Sequence, residues 1–162
     1  MIVKVNRNFL EINSIKDLKP SNKPNNSCKL SLIDPPDFQL NKFFYKKIGI
    51  KYRWIDRLVW DDNKWINYVE DHKVKTFVLR ENSNLVGYFE TIIDLDKKNC
   101  EIAYFGILNE YFGKKYGGYL LSEAISVSFI DGIDKVWVHT CSLDHKNALQ
   151  NYQSRGMKIF KS

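Results

Sequence analysis

Phe112-Gly113-Lys114-Lys115-Tyr116-Gly117-Gly118-Tyr119-Leu120-Leu121 sets the topology of this 162-residue chain, because it joins a strand pattern to a helix pattern through glycine. Before it, residues 100–108 (CEIAYFGIL) are rich in the β-branched and aromatic types that suit a strand. After it, Leu120, Leu121, Ala124, Ile125 and Ser128 recur along one side of a helix predicted over 117–130. Residues 135–141 (KVWVHTC) read as the next strand, and the intervening helix is long enough to make the two strands parallel neighbours through a right-handed crossover. Glycines let the backbone turn tightly and present its N–H groups at the positive end of the helix, which suits a phosphate or pyrophosphate. Lys114 and Lys115 add charge there. The loop is neither a Walker A motif, since Tyr119-Leu120 stand where Lys and Ser/Thr are required, nor GxGxxG. Taken alone, it reads equally as a turn with no ligand.

Upstream, residues 75–80 (KTFVLR) and 85–93 (LVGYFETII) flank the turn Glu81-Asn82-Ser83-Asn84, and a second turn at 94–99 leads into 100–108. Three strands joined by short polar turns predict an antiparallel meander. Downstream, a helix over about 146–155 ends at Gly156, placed as a C′ glycine, and residues 157–161 form a last short strand. The order β-β-β-α-β-α-β gives a mixed α/β sheet with helices packed on it. Towards the N-terminus, residues 2–12 read as extended, 13–27 as a loop, 28–33 as a strand, and 35–47 as a helix capped by Asp34 with Pro35 at its first position. Trp54, Trp60 and Trp65, with Leu58, Tyr68 and Val69 at helical spacings, precede the meander, and Asp61 or Asp62 caps a helix running to about residue 70. That aromatic stripe is either core packing or a wall of a substrate pocket.

With 44% apolar and 14% aromatic residues, the composition suits one domain with a real core and excludes a disordered tail. No apolar run approaches the roughly 18 residues a membrane-spanning helix needs, and Lys4, Arg7 and Glu11 interrupt any signal-like segment. A cytoplasmic location is expected, and Cys28, Cys100 and Cys141, odd in number and without a CxxC, read as reduced thiols. The net charge of +6 invites nucleic acid as a partner. Against that, arginine is confined to Arg7, Arg53, Arg57, Arg80 and Arg155, and no nucleic-acid motif is present.

The succession of strand 100–108, the loop GKKYGGYLL, strand VWVHTC and Ala148-Leu149-Gln150-Asn151-Tyr152-Gln153-Ser154-Arg155-Gly156-Met157 resembles the GCN5-related N-acetyltransferase (GNAT) family. Trp54-x-Asp56-Arg57, Glu101-Ile-Ala-Tyr-Phe-Gly and His139-Thr-Cys-x-Leu-Asp-His145 extend the likeness to a bacterial subgroup. The resemblance implies a GNAT-like acyl-CoA N-acyltransferase fold in one domain, 1–162, with acceptor-side elements in 1–73 and an acetyl-CoA-binding core in 74–162. It implies acetyl-CoA as co-substrate, in a cleft between strands 100–108 and 135–141, and an amine acceptor, with neither nucleic acid nor membrane as partner. Pantetheine would pair with backbone near Phe105, Gly106, Ile107 and Leu108. The pyrophosphate would lie on Gly113, Lys114, Lys115, Tyr116, Gly117 and Gly118, and His145 would bridge backbone and cofactor. Phe112 stands where the family pattern has Gln or Arg, and Lys115 where it has its first glycine.

Transfer to an alkylamine of pKa near ~10.4 needs a base, for which Glu101 is the candidate, directly or through a water. A backbone N–H near Phe105 or Gly106 would serve the oxyanion. Tyr152 matches the family's tyrosine acid, with Asn151 and Met157 replacing Leu and Phe of that motif. Acceptor recognition would fall to Trp54, Asp56, Arg57, Tyr104 and His139. A metal on His139 and Cys141 lacks a further ligand pair, and Cys141 as an acyl carrier would need a depressed pKa, so no metal and direct transfer in a ternary complex are expected. The alternative is a CoA-binding or sensing module without catalysis. The chain ends soon after residue 161, where the family often has a further strand, so strand 28–33 or a second copy would cover that edge.

Overall fold

In chain order the computed structural model, which describes residues 5–162, runs β1 (Arg7–Ile12), β2 (Cys28–Leu32), α1 (Phe38–Gly49), α2 (Asp62–Glu70), β3 (Val74–Glu81), β4 (Asn84–Asp94), β5 (Asn99–Ile107), α3 (Tyr116–Ser128), β6 (Lys135–Cys141), α4 (Ala148–Ser154) and β7 (Lys158–Lys161). The strands form one mixed sheet in the order β2-β3-β4-β5-β6-β1-β7. The expected meander is present as antiparallel β3-β4-β5, and β5 pairs with β6 in parallel.

That parallel pairing is short. It joins Asn99–Glu101 to Lys135–Trp137, while β5 continues to Ile107 and β6 to Cys141. The cause of the divergence lies in β5: the register against β4 shifts between Glu90↔Tyr104 and Thr91↔Ile102, leaving Ala103 as the extra residue of a bulge. A bulge bends its strand and increases local twist. It falls two residues beyond the last β6 pair, so the two strands part there and open a cleft.

One face of the sheet packs on α3, where Leu120, Leu121, Ala124 and Ile125 meet Leu10, Phe89, Ile102, Val136 and Val138, all fully or almost fully buried. The other face, over β3–β5, is covered by α1 through Phe44 and Ile48 against Val78 and Tyr88. Gly106 allows this approach, since a β-carbon there would stand 2.6 Å from Ile48 Cγ2.

Three sequence expectations change. Helix α1 starts at Phe38, with the Asp37 carboxylate accepting from Gln39 N at 3.0 Å, because Pro35 precedes Pro36 and a residue before proline is disfavoured in the helical region. The strand beside β7 is β1, and β2 closes the opposite edge on β3; β1 fits between β6 and β7 because Leu10 and Ile12 fill the core on the α3 side. Of the extended segment expected at 2–12, residues 2–4 lie outside the described residues, and the strand begins at Arg7. Gly156 has φ +104°, as its C′ role requires.

Candidate active site

A cavity of about 800 Å³ occupies the opening between β5 and β6 and runs from the first turn of α3 to the segment that follows α1. At the α3 end, Gly113 and Lys115 both have left-handed backbone, with φ +76° and +70°. Lys115 is the N-cap of α3, and no side chain caps that end. The leading N–H groups of the helix therefore keep their positive partial charge for an anion. Tyr116, Gly117 and Gly118 line the cavity beside them, and Asn151 Nδ2 donates to Gly117 O at 3.2 Å, fixing the turn to α4.

Along β5, Tyr104, Phe105, Gly106 and Ile107 form one wall. Their β6-facing backbone groups have no partner strand, because the parallel ladder stops at Glu101. Tyr152 faces this wall from α4, buried, with its ring 6.5 Å from that of Phe105. Burial pushes its hydroxyl pKa well up, and the Asp144 carboxylate adds to the shift. A phenol so placed holds its proton at neutral pH. Asp144 is itself held by Thr140 Oγ1 at 2.5 Å and Cys141 N at 2.9 Å. His145 Nδ1 accepts from Asn147 N at 3.0 Å, and its ring stands edge-on to Phe112 at 5.1 Å, tying the β6–α4 loop to the glycine loop.

At the far end, Trp54 and Asp56 line the cavity, and Trp54 meets Tyr104 edge-on at 4.9 Å. His139 also lies on the wall, beside Phe9 and Trp137, with Nδ1 3.6 Å from Glu101 Oε2. Glu101 does not itself reach the cavity, so it bears on the site through His139.

Arg57, Leu108 and Lys114, expected at the site, lie off the cavity wall. Arg57 is 6% exposed and off the cavity. Its Nη1 donates to both oxygens of Glu90 at 3.0 and 3.1 Å, and its guanidinium carbon lies 4.2 Å from the ring centres of Tyr68 and Tyr104 and 4.8 Å from Trp60. Burial alone would lower its pKa; the Glu90 carboxylate reverses the sign and keeps it charged. The aromatic stripe thus divides, with Trp65 in the core and Trp54 on the cavity wall. The Leu108 N–H is already donated to Val86 O at 2.8 Å, and the Lys114 ammonium lies over the Tyr111 ring, off the wall. Asp144, Asn151 and Arg155 stand within the segments that carry the resemblance without a site role assigned to them, and all three line the cavity. Each is joined to the site by packing between α3, α4 and β6, which leaves no trace in local spacing.

A profile of the Acetyltransferase (GNAT) family matches residues 37–157. Among solved structures, an aminoglycoside acetyltransferase from an uncultured soil metagenomic sample, in complex with trehalose, superposes with a TM-score of 0.67, at 14% identity, over 82% of this chain and 90% of that one. A GCN5-related N-acetyltransferase from Kribbella flavida gives 0.65 at 14% identity over 96% of this chain and 56% of that one. A GNAT-family acetyltransferase from Streptococcus pneumoniae gives 0.60 at 14% identity over 81% and 87%. At such identities the likeness is one of fold. No curated protein sequence matches the chain.

Proposed function

Since the chain belongs to the acetyltransferase (GNAT) family, whose members use acetyl-CoA, we propose that it is an N-acetyltransferase acting on a primary amine in a ternary complex. The observation that carries this reading is the cavity itself: diverging strands with unpaired backbone groups, an uncapped helix N-terminus at one end, and ionisable side chains at the other. These residues fit a thioester on a long phosphorylated arm. Phe105 to Ile107 would hold the arm through the free edge of β5, and Gly113 and Lys115 to Gly118 would hold its phosphates through backbone N–H groups. Acetyl-CoA, when bound, supplies an acetyl group activated as a thioester.

The remaining chemistry falls to side chains. His139, backed by Glu101, takes the proton that an alkylammonium must lose before it attacks. The unpaired N–H groups of β5 beyond Glu101 offer donors to the negative charge that develops on the carbonyl oxygen. Tyr152, kept protonated by burial, holds the proton that the departing sulfur needs. Trp54, Tyr104 and Asp56 give the amine an apolar and anionic approach. The reading includes one functional domain and a cytoplasmic location, supported by three cysteines that are all free.

Calorimetric titration with acetyl-CoA, followed by CoA release over a panel of polyamines, amino acids and aminoglycosides, tests this. Saturable binding with turnover on at least one class is expected. Absence of binding at millimolar acetyl-CoA would sink the reading, and binding without CoA release over the whole panel would leave the sensing module in its place.

A further inference from the structure

Arg155, the residue that closes α4, has no role in the site described above, yet its side chain lies on the cavity wall. Its Nε is buried without a hydrogen-bond partner, and among the described residues no carboxylate forms an ion pair with it. A guanidinium is charged at any physiological pH and carries five donors, so a partly buried one without acceptors is poorly solvated.

The position is built. Arg155 N donates to Asn151 O at 3.1 Å, and Arg155 O accepts from Lys19 N at 2.9 Å, so the backbone is fixed from both sides. Gly118 keeps the space open: a β-carbon there would stand 3.2 Å from Arg155 Nη1 and 3.0 Å from Ser21 Oγ. The guanidinium therefore lies against the first turn of α3, where the helix dipole is also positive and no side chain caps the N–H groups. Two positive elements converge on one end of the cavity, and among the described residues no carboxylate pairs with the guanidinium. That arrangement repels itself unless an anion enters.

We propose that Arg155 is a phosphate-binding residue, whose guanidinium takes a phosphate at the nucleotide end of CoA beside the first turn of α3. The inference rests on the acetyl-CoA reading and extends it, because it assigns recognition of the phosphorylated end to a side chain from α4. Arg155 thereby makes the site selective for the nucleotide-bearing thioester. The planar fork can hold two phosphate oxygens at once, which a lysine at the same place cannot do.

The test is calorimetric titration of the wild type, Arg155→Gln and Arg155→Lys with CoA and with dephospho-CoA, alongside thermal unfolding of each protein without ligand. Arg155→Gln should weaken CoA at least about tenfold and Arg155→Lys by less, while both unliganded variants unfold at or above the wild-type temperature. Loss for CoA alone assigns the contact to the 3′-phosphate, and equal loss for both ligands assigns it to the pyrophosphate. Arg155→Gln binding CoA within twofold of wild type overturns the proposal, as does a fall in the unfolding temperature of both unliganded variants, which marks a structural role. A wild type that binds neither ligand overturns the acetyl-CoA reading itself, and the proposal with it.

Discussion

The two ends of the cavity are built from different material. The α3 end is made of backbone, namely a left-handed turn at Gly113 and Lys115 and an uncapped first helical turn. The opposite end is made of side chains, with Tyr104 over the Arg57 guanidinium that pairs with Glu90, Trp54 edge-on to Tyr104, and His139 standing against Glu101. Backbone donors survive changes of residue type, whereas a side-chain network fails when one member goes. This is why the loop accepts Phe112 and Lys115 without losing its shape, while Arg57 and Glu90 are held at 6% and 0% exposure among the rings of Tyr45, Trp65 and Tyr104.

The largest effect expected from breaking this contrast is Arg57→Ala. It leaves Glu90 buried and unpaired, which costs about 3–5 kcal/mol, or on the order of 10 °C in unfolding temperature for a chain of this size. A loss under about 1 kcal/mol by urea unfolding would show that the pair does not hold up the side-chain end of the cavity. Next comes Tyr152→Phe, expected to lower kcat about 100-fold while CoA affinity stays within about twofold. Unchanged turnover would remove Tyr152 from the chemistry.

A pH test separates the ends further. Burial, opposed by Arg57, pushes Tyr104 up to about 12, and burial also raises Tyr45, Tyr68 and Tyr88 around it. A phenol whose pKa is raised on folding binds its proton more tightly in the native state. Its contribution is complete below pH about 10 and is lost as pH rises towards the folded value. Stability should therefore fall between pH 10 and about 12, and Tyr104→Phe should flatten that fall; an unchanged slope in urea unfolding across this window would count against the assignment.

The smallest effect belongs to the backbone end. Lys115 sits at φ +70°, where glycine is at ease and a side chain is strained by about 1 kcal/mol, so Lys115→Gly should stabilise the protein by up to that amount. CoA affinity should move less than about threefold, since the N–H groups remain. A large loss of affinity would mean that the ammonium, not the backbone, carries the anion.

Much of this was legible in local pattern. The meander, the parallel return through α3, the helix stop at Gly156 and the glycine loop are each written in spacings of two to four residues, within reach of turn and helix chemistry. The site was only half legible. Glu101, Tyr152, His139 and the loop could be named from their strands and motif, but Arg57 reads the same whether it faces a substrate or a buried Glu90 on β4. Leu108 gave no sign that its N–H would be taken by Val86.

The sequence by itself determined which segments are strands and helices and where the glycine-bearing turn into α3 falls, because those properties depend on neighbours along the chain. Tertiary structure alone decided that β1 lies between β6 and β7, that a bulge at Ala103 parts β5 from β6, and that Arg155 meets the first turn of α3. Each of these joins residues far apart in the chain, and they meet only when burial and hydrogen-bond pairing are satisfied for the whole sheet at once.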